Sequence, residues 1–316
     1  MADGGSWRRQ ARPSTTGGDG TLRRVIRLEA ATVLLQWTVG GMAFCWFTTR
    51  RREVGLGYGW LLRGVYAATA FSALAAGLLT EPNLVREVSA AATGIACLGV
   101  LAVSVRTRSA GVRAQREEHD RRTARVAAMT GIDRAVATPA PRNGGKDSTS
   151  VGEFDPRLDL VPVFIGAVGL LAAALDSDTE IALSVLRTFV GAAFLGAITD
   201  AMLLGHWYLV QPGLPRRRLN ELVDAVGAIW PIEVVALLIP TGMLSVWSGE
   251  IDDGWSGMLG WMWAACAAMT IVLVVVTKAA LRERQYSAVM AATGLLYLAI
   301  LTAFGTDIVA RAVLSP

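Results

Sequence analysis

Apolar residues run along this chain in long blocks with brief polar punctuation. Eight of the blocks reach the roughly 20 residues that a helix needs to cross the ~30 Å hydrocarbon layer of a bilayer. They lie near 28–49, 58–80, 87–105, 158–176, 182–210, 221–247, 257–277 and 286–308. No block alternates apolar and polar with period two, and a lipid-facing backbone must satisfy its own hydrogen bonds, so the blocks predict helices and not strands. Short links join all but the third and fourth blocks, which makes sequential helices antiparallel neighbours. The expected fold is therefore all-α: a polytopic integral membrane protein with eight transmembrane helices.

Three segments fall outside the blocks. Residues 1–27 contain Gly4, Gly5, Pro13, Gly17 and Gly18 and show neither the apolar core nor the cleavage site of a secretory signal. They read as a disordered, arginine-rich arm. Residues 106–157 begin with mixed charge (Glu117, Glu118, Asp120, Arg121, Arg122) and continue into a Pro/Gly/Ser-rich stretch over 138–150, the composition of a flexible tether between helices 1–3 and helices 4–8. Asn143 to Lys146 is not a phosphate loop, because Asp147 follows the lysine and no strand precedes it. Residues 309–316 are left as a short C-terminal tail.

Sliding one half over the other suggests an internal repeat. At an offset of 161, Thr38, Trp46 and Phe47 fall on Thr199, Trp207 and Tyr208, and the second block falls on the sixth. Two four-helix repeats joined by the long loop would give a tandem arrangement of the kind found in transporters with parallel repeats.

Composition sharpens the class. The chain is 53% hydrophobic and 18% charged, against roughly 25% charged residues in an ordinary soluble domain. Charge is also uneven along it. With 106–157 on the cytoplasmic side, that side collects Arg50, Arg51, Arg52, the loop's own basic residues, Arg216, Arg217, Arg218, Lys278, Arg282 and Arg284, while the opposite links hold acidic clusters at 176–180 and 250–253. This predicts a plasma (cytoplasmic) membrane protein with the long loop inside and both termini outside. The six arginines of the N-terminal arm conflict with that orientation, and the other loops decide it.

Candidate chemistry is sparse. Cys45, Cys97 and Cys266 all lie in apolar blocks without metal or redox spacing. Ionisable groups inside a span are costly and point to function. Counted from the link at 211–220, Asp200 and Glu233 fall near mid-bilayer at matching depth on adjacent helices, where an ion or proton site would sit. Arg63, Arg187, Asp307 and Arg311 read instead as interface residues whose side chains snorkel. Pro231 and Pro240 bracket Glu233 and free backbone carbonyls near it. The segment His206, Trp207, Tyr208 is the densest chemical cluster and suits a quinone or lipid headgroup, with Asp224 placed to hydrogen-bond His206. Haem is disfavoured, since one membrane histidine permits no bis-histidine pair.

No hydrolase, kinase, zincin or prenyl-transfer motif occurs, which argues against an enzyme acting alone. The leading expectation is a transporter or proton-coupled carrier using Asp200 and Glu233 on a small-molecule or ion substrate, with no bound cofactor. The alternatives are a quinone- or lipid-interacting redox subunit built on His206, Trp207 and Tyr208, and a non-catalytic scaffold or assembly factor. In architecture alone, eight spans in two groups of four resemble the quinol-binding membrane subunits of polysulfide-reductase-type complexes, whose motifs do not occur here. The expected partners are the lipid bilayer and that substrate; nothing calls for nucleic acid, and a partner subunit or a second copy is not readable from the sequence.

Overall fold

A computed structural model describes residues 18–80, 82–107, 154–176, 180–211, 214–238, 242–251, 253–283 and 285–314, with side chains from residue 30 onward. The described residues are helical and include no strand. The helices are α1 (Gly18–Thr49), α2 (Leu56–Leu79), α3 (Leu84–Arg106), α4 (Leu160–Leu175), α5 (Ile181–Val210), α6 (Arg217–Leu238), α7 (Met243–Trp247), α8 (Met258–Arg282) and α9 (Tyr286–Leu314), with a 3-10 turn at Pro156–Asp159 leading into α4. Seven of them, all but α6 and the five-residue α7, are long and apolar enough to cross a membrane. Their outward faces carry Leu79, Leu84, Phe164, Trp261 and Leu301, each at least 69% exposed. So much apolar surface turned outward is what a bilayer, not water, accommodates. The protein is a polytopic membrane protein.

Several boundaries differ from expectation for identifiable reasons. The sixth block is not one helix: α6 stops at Leu238 and α7 begins at Met243. Gly242, in extended backbone, precedes α7, and the sequence between the two helices contains Pro240, a residue type that has no amide to donate and disfavours helix in the residue before it. Pro231, by contrast, lies inside α6. α1 begins at Gly18, within the expected arm, and α9 continues to Leu314, so most of the expected C-terminal tail is helix. The rest of the arm, 1–17, and most of the tether, 108–153, lie outside the described residues, as does His119.

Two rings of four helices form the bundle. In the first, α1 packs on α2, α2 on α3, α3 on α4 and α4 back on α1; in the second, α5 packs on α6, α6 on α8, α8 on α9 and α9 back on α5. The rings meet chiefly where α1 lies along α5. These two helices bury 61% and 56% of their most apolar stretches, against 33–39% for the other candidate spans, which makes them the centre of the molecule. Their contact is backbone on backbone: a Cβ added to Gly40 would stand 1.7 Å from the carbonyl oxygen of Ala192. Without a hydrophobic force between helices in lipid, such close approach of small residues is what brings spans together.

One end of the bundle is arginine-rich. There Arg218 binds Glu53 through Nε at 2.8 Å and Nη2 at 2.9 Å, tying α6 to the α1–α2 link. Arg216 donates to the carbonyls of Glu283 and Gln285, tying the α5–α6 link to the α8–α9 link. Arg63 of α2 forms a two-pronged bond with Asp159, Nε to Oδ1 at 2.7 Å and Nη2 to Oδ2 at 2.8 Å, and Ser104 of α3 takes a third bond at 3.2 Å. The turn into α4 is thereby pinned to the first ring.

Candidate functional site: buried charge on either side of α5

Asp200 and Glu233 are both fully buried, but they do not form one site. Each belongs to its own polar centre.

The first centre lies between the rings. Tyr66 of α2 donates its phenolic hydrogen to Asp200 Oδ1, and Tyr58, two turns earlier on the same helix, donates to the Asp200 backbone carbonyl at 3.3 Å. Gly41 of α1 makes this reach feasible: a Cβ there would stand 2.0 Å from the Tyr66 ring, so the ring crosses α1 where α1 has no side chain. The second oxygen of Asp200, Oδ2, is buried and accepts no hydrogen bond. Nearby, Trp37 Nε1 donates to Thr199 Oγ1 at 3.0 Å, and Thr38 and Thr69 share a bond at 2.8 Å.

The second centre lies toward the far end, where α5, α6 and α9 meet the flank of α1. The single Nε–H of Arg311, one turn along α9, is shared between the two carboxylate oxygens of Asp307, at 3.1 Å to Oδ1 and 3.0 Å to Oδ2. Arg187 of α5 donates from Nε to the Ala236 carbonyl of α6 at 2.8 Å, and Arg311 Nη2 reaches the Arg187 carbonyl at 3.3 Å. Gln36 of α1 donates to the Thr188 carbonyl at 2.6 Å. The charges acting on Glu233 are those of Asp307, Arg311 and Arg187. Neither Glu233 oxygen receives a donor, and the Asp307 carboxylate is close enough to bond to it once either acid carries a proton. Two carboxylates are acceptors only, so a proton is what joins them. Gly191 leaves the room: a Cβ on it would stand 2.9 Å from Asp307 Oδ1 and 3.1 Å from both Arg311 Nη2 and Gln36 Nε2.

The expected match in depth between Asp200 and Glu233 therefore does not hold. Glu233 interacts with Arg187, which precedes Asp200 by 13 residues on α5, roughly 20 Å of helix rise. α6 starts at Arg217, so Glu233 lies 16 residues along it, while Asp200 lies 10 residues from the end of α5.

His206, Trp207 and Tyr208 are also separated, because consecutive helical residues point about 100° apart. His206 is exposed on the outer surface, where its Nδ1 meets Tyr297 of α9 at 3.1 Å. Trp207 turns toward α2, with its ring centroid 6.0 Å from that of Tyr58 and its Nε1 bonded to Gln211 at 3.1 Å. Tyr208 donates to the Pro215 carbonyl at 2.5 Å. The expected bond from Asp224 to His206 is absent, since Asp224 pairs with Lys278 of α8. The three side chains do not share one ligand pocket.

Sequence reasoning missed Tyr58, Tyr66 and Gln36, and set aside Arg63, Arg187, Asp307 and Arg311 as snorkelling residues. All four charged groups are at least 90% buried or tied into buried ion pairs. Among the described residues no group of three or more His, Cys, Asp or Glu side chains is placed to hold a metal ion. Comparisons of the chain with protein-family models, with curated proteins and with solved structures give no match.

Proposed function

We propose that this protein is a proton-coupled membrane carrier, with Glu233 and Asp307 as the proton-binding pair. The observation that carries the reading is a buried carboxyl with no hydrogen-bond donor, set against a second carboxylate and flanked by two arginines inside a membrane bundle. Charge in such a place is expensive and marks an ion or proton path by default. With both acids ionised the four side chains sum to zero formal charge; a proton on the pair leaves one positive charge in excess. The site thus turns from neutral to positive toward a substrate on loading, and such a change is what coupling requires. Asp200 remains in this proposal as a separate station between the rings.

The architecture supports movement of one ring against the other. α1 corresponds to α5 and α2 to α6 at a constant spacing: Thr49 and Val210 are 161 residues apart, and so are Leu56 and Arg217. In the second ring α8 and α9 take the places of α3 and α4. This supports a tandem four-plus-four repeat with eight crossings, in which α6 spans despite its charges because they face α5, α8 and the helix ends. Parallel repeats rocking about a shared seam are one way carriers expose a site to alternate sides. The basic excess at the arginine-rich end supports placing that end, with the 106–157 tether, on the cytoplasmic side of the plasma membrane and both termini outside.

Reconstituted vesicles containing a trapped pH-sensitive dye test the reading. Wild-type protein is expected to move protons when a panel of inorganic ions, small organic acids and small amines is applied, and Glu233→Gln to abolish that movement. Wild-type flux equal to that of empty vesicles across the whole panel, or full flux in Glu233→Gln, would overturn it.

A further inference from the structure

The bond between Tyr66 and Asp200 joins the two rings, as the Trp37–Thr199 bond and the Arg218–Glu53 pair do, but of these three ties it alone ends on a fully buried carboxylate. Tyr66 belongs to the first ring and Asp200 to the second, and the phenol crosses the central helix α1 over Gly41 to make the contact. Tyr58 adds a second tie from α2 to the Asp200 carbonyl. The titratable groups facing Asp200 are Tyr66 and Tyr58 from α2, Cys45 from α1 and Asp159 from the turn before α4. Arg63 is committed to Asp159. Among the described residues α6 and α9 contribute no charge acting on Asp200, so no cation offsets it directly. Oδ2 stands without a donor in a fully buried position.

A hydrogen bond to a charged acceptor is roughly twice as strong as one to a neutral acceptor. From this and the geometry we infer that Asp200 is a second proton-binding site and that its bond with Tyr66 is a latch between the rings. The ionised carboxylate holds Tyr66 and closes the seam; a proton added at Oδ2 neutralises the acceptor and loosens it. The inference deepens the carrier reading by assigning the moving interface and the group that senses the proton. It needs no co-reactant, since the only bond formed is O–H on the carboxyl.

Cys45 provides a readout that does not depend on transport. It lies one turn beyond Gly41 on α1, is buried, and faces the same tyrosine layer. Alkylation by N-ethylmaleimide, at one fixed pH in native membranes and located by mass spectrometry, reports whether that layer lifts. Asp200→Asn mimics the protonated acid and Tyr66→Phe removes the donor; each is expected to speed Cys45 labelling about tenfold. Gly41→Ala leaves both partners present but displaces the ring, and is expected to act the same way. Cys266, on α8 away from the seam, is the internal control and keeps its wild-type rate. Difference infrared spectra of the purified wild type should also show a protonated-carboxyl band that grows on acidification and vanishes in Asp200→Asn. Unchanged Cys45 labelling in Asp200→Asn, an equal rise at Cys266, or no such band between about pH 5 and 9 would each overturn the latch. Flux lost in Glu233→Gln alongside a failed latch leaves the carrier reading intact, and a working latch without any flux does the reverse.

Discussion

Gly40 of α1 and Gly196 of α5 place the two central helices in backbone contact: a Cβ on Gly196 would stand 2.1 Å from the Gly40 carbonyl carbon and 2.6 Å from the Gly41 nitrogen. The obstruction is main chain, which cannot swing aside as a side-chain tip can. Any substitution there must push the rings apart. Gly196→Val is expected to destabilise the protein by about 1–3 kcal/mol or more, the usual cost of overpacking a tight contact. Thermal unfolding in detergent together with the yield of monodisperse protein checks this. A Gly196→Val protein with wild-type melting behaviour would show that the seam is not where the bundle is held.

The ion pair between Arg63 and Asp159 leads to a different kind of prediction. Both side chains are almost fully buried, and Thr49 Oγ1 adds a bond to Asp159 Oδ2 at 3.3 Å. Removing one partner leaves the other charged, buried and unmatched, which costs about 3–5 kcal/mol. Asp159→Ala is therefore expected to unfold at much lower denaturant than wild type. The double variant Arg63→Met with Asp159→Leu should recover most of the loss, because replacing a whole buried pair by apolar groups is often nearly neutral. A double variant as unstable as Asp159→Ala would mean that the pair contributes specific bonds beyond charge matching.

Along each helix the sequence was a good guide, and around each helix it was not. The apolar blocks at 58–80, 87–105, 158–176 and 182–210 fall within three residues of α2, α3, α4 and α5 at every end, because block length reflects a bilayer thickness that every span must match. Asp200 and Glu233 were identifiable as buried acids for the same reason. Their partners were not. Which helix face turns inward is decided by close approaches such as Gly41 beneath Tyr66, and a glycine announces no neighbour. Arg187, Asp307 and Arg311 were misplaced through length: α5 has 30 residues and α9 has 29, about 45 Å of rise, so residues near their ends still lie within the packing. Counting depth from the 211–220 link failed for Glu233 because α6 starts at Arg217, earlier than its apolar block.

Gly191 separates the charge cluster from the fold. The atoms nearest a Cβ there are the ends of Asp307, Arg311 and Gln36, which are side chains able to shift. Gly191→Ala is accordingly expected to change stability by less than about 1 kcal/mol while displacing the groups around Glu233. Misplacement on the scale of 1 Å is enough to reduce proton flux by about tenfold or more. The dye-loaded vesicle assay run beside a thermal melt makes the comparison. Equal loss of fold and flux, or no loss of flux, would remove the cluster from the working site.

Acid should act at the entry to α8. Asp253 Oδ1 accepts from the amides of Gly257 at 2.8 Å and Trp255 at 2.9 Å, and Oδ2 accepts from Leu259 at 2.9 Å. These amides, Gly257 foremost, hold its carboxyl below the usual carboxylate range. They also fix a turn in which Ser256 takes a φ of 55°, an uncomfortable value for a residue with a side chain, between Gly254 at 69° and Gly257 at 81°. A carboxyl whose folded-state pKa lies below its unfolded value, about 3.9, contributes its stability above that value and loses it as pH falls through the folded one. The turn is thus expected to hold at neutral pH and to loosen below about pH 4. Hydrogen exchange at residues 258–262, corrected for the intrinsic pH dependence of exchange, should show several-fold loss of protection in acid. Asp253→Ala should show the same loss already at neutral pH. Asp253→Asn keeps one acceptor oxygen and cannot titrate, so its protection should be intermediate and the same at both pH values. A pH-dependent Asp253→Asn would assign the acid sensitivity to another group.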